Sequence, residues 1–249
     1  MNELVSWPRS RYVAGGGDAL IFLEICGHFS EIPAVSRSKY SSNGVPDGVE
    51  AHLADNDFAR YGDGPMLELL RASNPDAARQ IEAAPHVLTL RGTVSDPPNL
   101  DYLRDCLGII AALLDAGGAG VIEPQIFQLY SPNQWRESFW SGGFEPTSHT
   151  VILISPEESG TLWLHTRGMR IYGRPDLSCH GVLPEEVEKL QPVFNGLMRM
   201  QAAGALIPEN QPVQAVGIEK RLICRHGGSF EDDDFNNLHL ELRWDEVPI

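Results

Sequence analysis

The sequence is poor in basic side chains. Its 249 residues include 19 lysines and arginines against 34 aspartates and glutamates, a formal net charge of -15. Because such a chain is repelled by nucleic acids and by anionic membranes, we expect neither as a partner. The same imbalance favours solubility or binding to a basic protein.

Long apolar runs are also missing. The longest, from Ile109 to Leu114, is far too short to span a bilayer. The first residues, Met1 to Pro8, lack the basic stretch and apolar core that mark a secretory signal. We therefore expect a cytoplasmic protein.

Cysteine is scarce and its positions do not pair. No C-x-x-C motif occurs, so a structural zinc site is not expected, and buried free thiols are the natural interpretation. The dinucleotide and Walker fingerprints are absent, and no G-x-S-x-G elbow surrounds any serine. We therefore expect no metal and no cofactor, and the balance leans against an enzyme. The four cysteines are Cys26, Cys106, Cys179 and Cys224.

The pattern of apolar residues predicts an α+β fold, with a mixed, largely antiparallel sheet and two long packing helices. We expect a single domain over residues 1–249, with a loop-rich part (1–85) and a more regular core (86–249). The stretch from Ser30 to Gly64 is rich in Ser, Pro, Gly, Asn and Asp, which predicts a long connection. Near the C-terminus, alternation predicts a strand with Leu238, Leu240 and Leu242 buried on one face.

The segment from Thr161 to Val182 is the most informative stretch. It begins as an apolar strand, Thr166 is placed to cap a short helix from Arg167 to Tyr172, and a second strand follows from Asp176. The predicted structure is a strand, a tight elbow and another strand. Arginine in the first turn of a helix opposes the helix dipole, so other groups are expected to hold these charges.

The same segment resembles a bacterial family, the domain of unknown function numbered 4261. The shared signature is T-x-G followed by G-x-P-[DE]-L, which Thr166 to Leu177 carries here. The resemblance implies a bacterial α+β protein and brings no catalytic residues with it. Some similar proteins are suspected to be immunity factors against secreted toxins.

Two groups of residues are candidates for a site. The elbow carries His165, which is an acid or base candidate, and arginines that suit an anionic ligand. The alternative is that the arginines neutralise the acidic loop Glu231 to Asp234 of the same molecule, and we expect Arg167 and Arg174 to pair with it. That loop and His239 supply ligands for a cation, although their spacing does not match a calcium loop, so a solvated turn or a partner contact stays open. The candidate residues are His165, Arg167, Arg170, Arg174, Asp176, Glu231, Asp232, Asp233, Asp234 and His239.

Two functions follow from these observations. The first is a protein-binding protein, in its concrete form an immunity factor that masks a basic toxin with an acidic surface. The alternative is an uncharacterised enzyme or small-anion-binding protein that uses His165, Arg167 and Arg174. Neither the identity of a partner nor the oligomeric state follows from the sequence.

Overall fold

The computed structural model describes residues 4–61, 64–140, 145–232 and 237–245. The chain divides into two compact units, the first formed by residues 1–8 and 20–145 and the second by residues 9–19 and 146–249. Each unit has its own sheet. The prediction of a single domain over 1–249 stays a prediction.

The first unit contains a five-stranded sheet with the strand order β2-β3-β1-β4-β5. The pairs β2–β3, β1–β4 and β4–β5 are antiparallel. Its strands are β1 (Ala19–Gly27), β2 (Val49–Asp55), β3 (His86–Val94), β4 (Gly118–Glu123) and β5 (Gln128–Tyr130). Its helices are α1 (Arg37–Tyr40), α2 (Pro65–Ser73), α3 (Pro75–Ala83), α4 (Asp101–Asp115) and α5 (Pro132–Trp135).

Helix α4 is the predicted first long helix, and its apolar residues at helical spacing are buried. Leu103, Leu107 and Leu114 are at most 5% exposed. A second cluster joins α2 and α3 to the sheet through Leu70, Ile81 and other buried side chains. Asn74 caps α3 by accepting the N–H of Ala77, and Pro75 takes the first helical position, where its missing N–H costs no hydrogen bond.

The second unit contains a six-stranded mixed sheet with the order β6-β7-β8-β11-β10-β9. Its neighbouring strands pair antiparallel except β8 and β11, which are parallel. The strands are β6 (Val151–Pro156), β7 (Leu162–Arg167), β8 (Asp176–Val182), β9 (Pro212–Val213), β10 (Leu222–Ser229) and β11 (Asn237–Trp244), and the helix is α6 (Val187–Ala202). The predicted α+β class with largely antiparallel strands is confirmed, although the strands form two sheets and not one.

Helix α6, the second long helix, packs on β8 and on the short 3-10 helix Met169–Tyr172. Its fully buried Leu190 and Phe194 belong to the core of this unit, together with Leu240 and Leu242 of β11. The apolar face of the sheet is thereby removed from water, which is the main source of its stability.

Two predictions are wrong. The stretch from Ser30 to Gly64 is not one long connection, because β2 lies within it; its exposed Glu50 and His52 make the strand look like a loop in the sequence. Leu238 is 44% exposed and not buried. It pairs with Gly228, which has no side chain to cover it, and the pairing of β11 with β8 begins at His239, one residue further along.

The two leucines of β11 provide a matched stability test. We expect Leu240→Ala to lower the free energy of unfolding by about 2–5 kcal/mol, because it opens a cavity in the core. Leu238→Ala is expected to cost less than about 1 kcal/mol, because its side chain is largely in water. Urea denaturation of both variants checks this, and similar losses would show that the face assignment is wrong.

Candidate functional site

The elbow between β7 and β8 is built on two glycines in the left-handed region. Gly168 (φ 107°) ends β7, the 3-10 helix follows, and Gly173 (φ 61°) ends that helix. A Cβ on Gly173 would lie 2.1 Å from the carbonyl oxygen of Gly17, so only glycine fits there. The predicted strand, elbow and strand are therefore present.

The predicted start of the short helix is wrong. Thr166 and Arg167 belong to β7 and not to a helix start. The chain leaves the strand only at Gly168, because the positive φ there breaks the extended conformation, and the helical turn begins after it. The predicted conflict between Arg167 and a helix dipole therefore does not arise.

Asp176 is the buried centre of the elbow. Its carboxylate accepts hydrogen bonds from the Thr166 hydroxyl at 2.9 Å, from the Met169 N–H at 3.2 Å and from the Asn237 side-chain amide. The Thr166 hydroxyl oxygen in turn accepts the N–H of Leu177 at 2.8 Å. One carboxylate thus links β7, the 3-10 helix, β8 and β11. The threonine, aspartate and leucine of the signature all take part in this network.

Burial raises the pKa of Asp176 to about 6, and the bonds from Asn237, Met169 and Thr166 oppose that shift. Asp176 as a whole residue is 3% exposed by solvent-accessible area. Burial has the larger effect, because removing the carboxylate charge from water costs more free energy than these hydrogen bonds restore.

Arg174 also lies inside the elbow and is 3% exposed. Its guanidinium donates to the carbonyl oxygens of Gly173 and Gly204, both at 2.9 Å, and more weakly to those of Val13 and Ala205. These bonds give Arg174 a structural role, fastening the elbow to the segment that follows α6.

Arg9 has a comparable role. It donates to the carbonyl oxygens of Gln201 and Ala202 in the last turn of α6, each at 3.0 Å, and to that of Tyr172 at the same distance. Carbonyls at the end of a helix lack partners within the helix, and a buried cation there also complements the helix dipole.

The predicted pairing of Arg167 and Arg174 with the acidic loop stays a prediction. Asp233 and Asp234 lie outside the described residues. Glu231 is exposed and Asp232 is half-buried. Arg170 lies with its guanidinium 4.7 Å from the centre of the Phe230 ring, a cation–π contact.

The polar face of the second sheet brings several candidate residues together. His165 opposes Ser178 across β7 and β8, and Ser178 opposes Glu241 across β8 and β11. His239 opposes Asp176 on the same pair of strands. Register partners share a face, so these side chains lie on one side of the sheet.

Trp163 is the centre of an aromatic stack on this face. Its ring lies 3.9 Å from that of His165 and 5.0 Å from that of His180, centre to centre, and both pairs are stacked. The Trp163 indole N–H donates to the Ser178 hydroxyl at 2.9 Å. Trp163 and Ser178 were not among the predicted site residues; their position every second residue from His165 and His180 along their strands is the signal that finds them.

His165 is 5% exposed, and its pKa is lowered to about 4 by burial, with smaller contributions from the charges of Arg167 and His180. A neutral imidazole at neutral pH does not attract an anion. His239 also has a lowered pKa because it is partly buried, although Glu241 and Asp232 act in the opposite direction. Asp232 of the acidic loop therefore acts electrostatically on His239.

The outer end of the stack is closed by Glu157. One carboxylate oxygen contacts His180 Nδ1 at 2.9 Å, and the other accepts the N–H of Gly181, also at 2.9 Å. The hydrogen bond with His180 is the main reason that the pKa of Glu157 is lowered. These contacts join the turn after β6 to the end of β8.

The first unit carries an open groove of about 590 Å³ at the ends of β1, β2 and β3. His86 Nδ1 accepts the N–H of Phe29 at 3.3 Å, which fixes the orientation of its ring. The groove is lined by His28, Phe29, Ser30, Leu53, Ala54, Asp55 and His86.

Two features are absent from the described residues: a metal-binding cluster and a membrane-spanning helix. No cluster of three or more His, Cys, Asp or Glu side chains in the described ranges is arranged to hold a metal ion. In the same ranges, no helix has the length and apolarity that crossing a membrane requires.

The four cysteines are free and buried, as predicted, and burial raises the pKa of Cys26 and Cys179 to about 12.

In comparisons with known proteins, no family model matches this chain, and no similar curated protein or solved structure is found. The resemblance carried by Thr166 to Leu177 stays a prediction.

We predict that Asp176→Asn removes a pH dependence of stability. The folded carboxyl group keeps its proton up to about pH 6, against a usual pKa of 3.8, so the folded state binds the proton more tightly. This stabilisation is complete below the unfolded pKa and is lost as the pH rises through about 6. Its full size is roughly 1–3 kcal/mol.

Urea denaturation from about pH 4 to about pH 8 checks this prediction. In Asp176→Asn, the oxygen of the introduced side chain can still accept from Thr166 and Met169. The Asn237 amide can rotate so that its own oxygen accepts from the introduced N–H. Asp76→Asn, at an aspartate with an 82% exposed side chain, is the matched control and should follow the wild type. A wild-type curve that runs parallel to that of Asp176→Asn would contradict the assignment.

Proposed function

We propose that this chain is a protein-binding protein whose partner is basic, and that it is not an enzyme. The observation that carries the proposal is the surplus of carboxylates, 34 acidic against 19 basic side chains. An acidic surface steers a basic partner and speeds its association.

Several arginines of the second unit already have partners within the chain. Arg221, Arg225 and Arg243 each form an ion pair with a neighbouring acid, at 2.7 to 3.2 Å. Arg9 and Arg174 are buried and donate to backbone carbonyls. Exposed acids remain at Glu158, Glu185, Glu188 and Glu219.

The contacts give less support to an anion-binding or catalytic elbow. Arg174 is engaged with the backbone, and His165 is buried with a pKa near 4. A general base works best with a pKa near the operating pH, which His165 does not have. Arg167 and Arg174 also serve different parts of the elbow, one at the end of β7 and one behind Gly173.

The concrete form of the proposal is an immunity factor that works in the cytoplasm and masks a basic toxin. Carboxylates on its surface would occupy the site where the toxin holds its anionic substrate. The family resemblance of the elbow and the four buried free thiols support this form.

Affinity capture from cells of the native source, followed by kinetics on the purified complex, tests the proposal. We expect a stoichiometric basic partner whose association rate constant falls about tenfold or more between roughly 50 mM and 500 mM salt. In a variant with Glu158, Glu185, Glu188 and Glu219 changed to glutamine, association should be slower at low salt, because the steering field is weaker.

The matched control changes the same four residues to aspartate, which keeps the charge and should keep the rate. A partner that is acidic, or an association rate that ignores both salt and the glutamine changes, would overturn the proposal. So would the recovery of no stoichiometric protein partner.

A further inference from the structure

Strand β6 forms one outer edge of the second sheet and differs from the other sheet edges. Sheet edges in folded proteins are usually blunted by short length, proline or charge. β9 has two residues and begins with Pro212, β5 has three residues, and β2 carries Glu50, His52 and Asp55. β6, with the sequence VILISP, has six residues and no charged side chain.

The register shows which backbone groups of β6 face outward. The N–H of Glu157 donates to the carbonyl of Thr161 at 2.9 Å, so this pair is hydrogen-bonded at the start of the β6–β7 ladder. Hydrogen-bonded and non-hydrogen-bonded pairs alternate in an antiparallel ladder. Leu153, paired with His165, therefore bonds to β7, whereas Ile152 and Ile154 direct their N–H and C=O groups away from it.

The outward positions are also apolar and accessible. The Ile154 side chain is 48% exposed, and Ile152 is partly exposed. Pro156 at the next outward position has no N–H, which limits the ladder to the Ile152 and Ile154 donors. Within the described part of the chain, no strand pairs with this side of β6.

We propose that an extended segment of the partner adds to this edge as a further strand, bonded to Ile152 and Ile154. This inference rests on the proposed function, because it takes the partner to be a basic protein. Backbone groups arranged in this way recognise an extended chain, and the added strand would cover Ile154. Basic side chains of the segment would lie near Glu157 and Glu158, which follow β6 directly.

A second copy of this chain fits the edge less well. Two copies would each bring a net charge of -15, so pairing two β6 strands places two strongly acidic proteins side by side. A basic segment instead gains attraction from the same charge. The heterologous occupant is therefore the one to which we commit.

The test uses a short synthetic peptide of alternating valine and threonine with lysine at both ends. Isothermal titration with the whole chain should show binding that weakens about tenfold in Ile154→Pro, which deletes one outward N–H and leaves the β6–β7 bonds in place. Ile154→Val keeps the donor and is the matched control. The same peptide with every valine and threonine N-methylated should bind weakly to every variant, because none of these residues keeps an N–H to donate to the edge.

Circular dichroism establishes that Ile154→Pro is folded. If Ile154→Pro is not folded, Ile154→Lys is used in its place. A lysine on the edge repels the basic peptide and should abolish binding. Equal affinity of the peptide for wild type and for a folded edge variant would overturn the proposal. So would equal affinity of the N-methylated peptide, or a dimer in sedimentation experiments that Ile154→Pro dissociates, because the occupant would then be a second copy.

Binding measurements with the captured partner distinguish a failure of this inference from a failure of the proposed function. A basic partner that binds Ile154→Pro as tightly as wild type would overturn strand addition and leave the proposed function intact. Peptide binding that depends on Ile154, with no basic partner recovered, would overturn the proposed function and support the edge as a strand acceptor.

Discussion

The second sheet depends on one buried carboxylate. Asp176 accepts hydrogen bonds from Thr166, Met169 and Asn237, so a single side chain sets β7, the elbow, β8 and β11 in relation to each other. A buried polar group of this kind is stable only while its partners are present. The stacking of Trp163 of β7 on His180 of β8 rests on this arrangement, because it requires β7 to lie in register with β8.

The elbow and the edge of the sheet therefore have different tasks. Buried arginines and the Asp176 network hold the elbow, and their charges and donors are directed inward. The edge strand β6 directs donors, acceptors and apolar side chains outward, where a partner can use them. A partner strand that bonds to β6 would extend a sheet whose register is already fixed, so little ordering of this chain would oppose binding.

The sequence predicts much of the fold through residues whose role is local. Gly168 and Gly173 mark the elbow, Asn74 and Pro75 begin a helix, and the spacing in α4 identifies its buried face. The sequence does not predict burial correctly where tertiary neighbours determine it. Leu238 continues a perfect alternation, yet it is exposed because Gly228 is its cross-strand partner. For the candidate site, the residue types of the elbow are visible in the sequence. Whether Arg174 meets an anion or a backbone carbonyl depends on contacts with residues distant in the chain, which spacing does not reveal.

The most direct test of this account is amide hydrogen exchange of the free chain along β6, read residue by residue by nuclear magnetic resonance. We predict alternation: the amides of Leu153 and Ser155, which bond to β7, exchange slowly, and those of Ile152 and Ile154, which face outward, exchange fast. Slow exchange at Ile152 and Ile154 would mean that this edge is already covered in the free protein. That result would contradict an open acceptor edge and, with it, the way in which we propose that a partner binds.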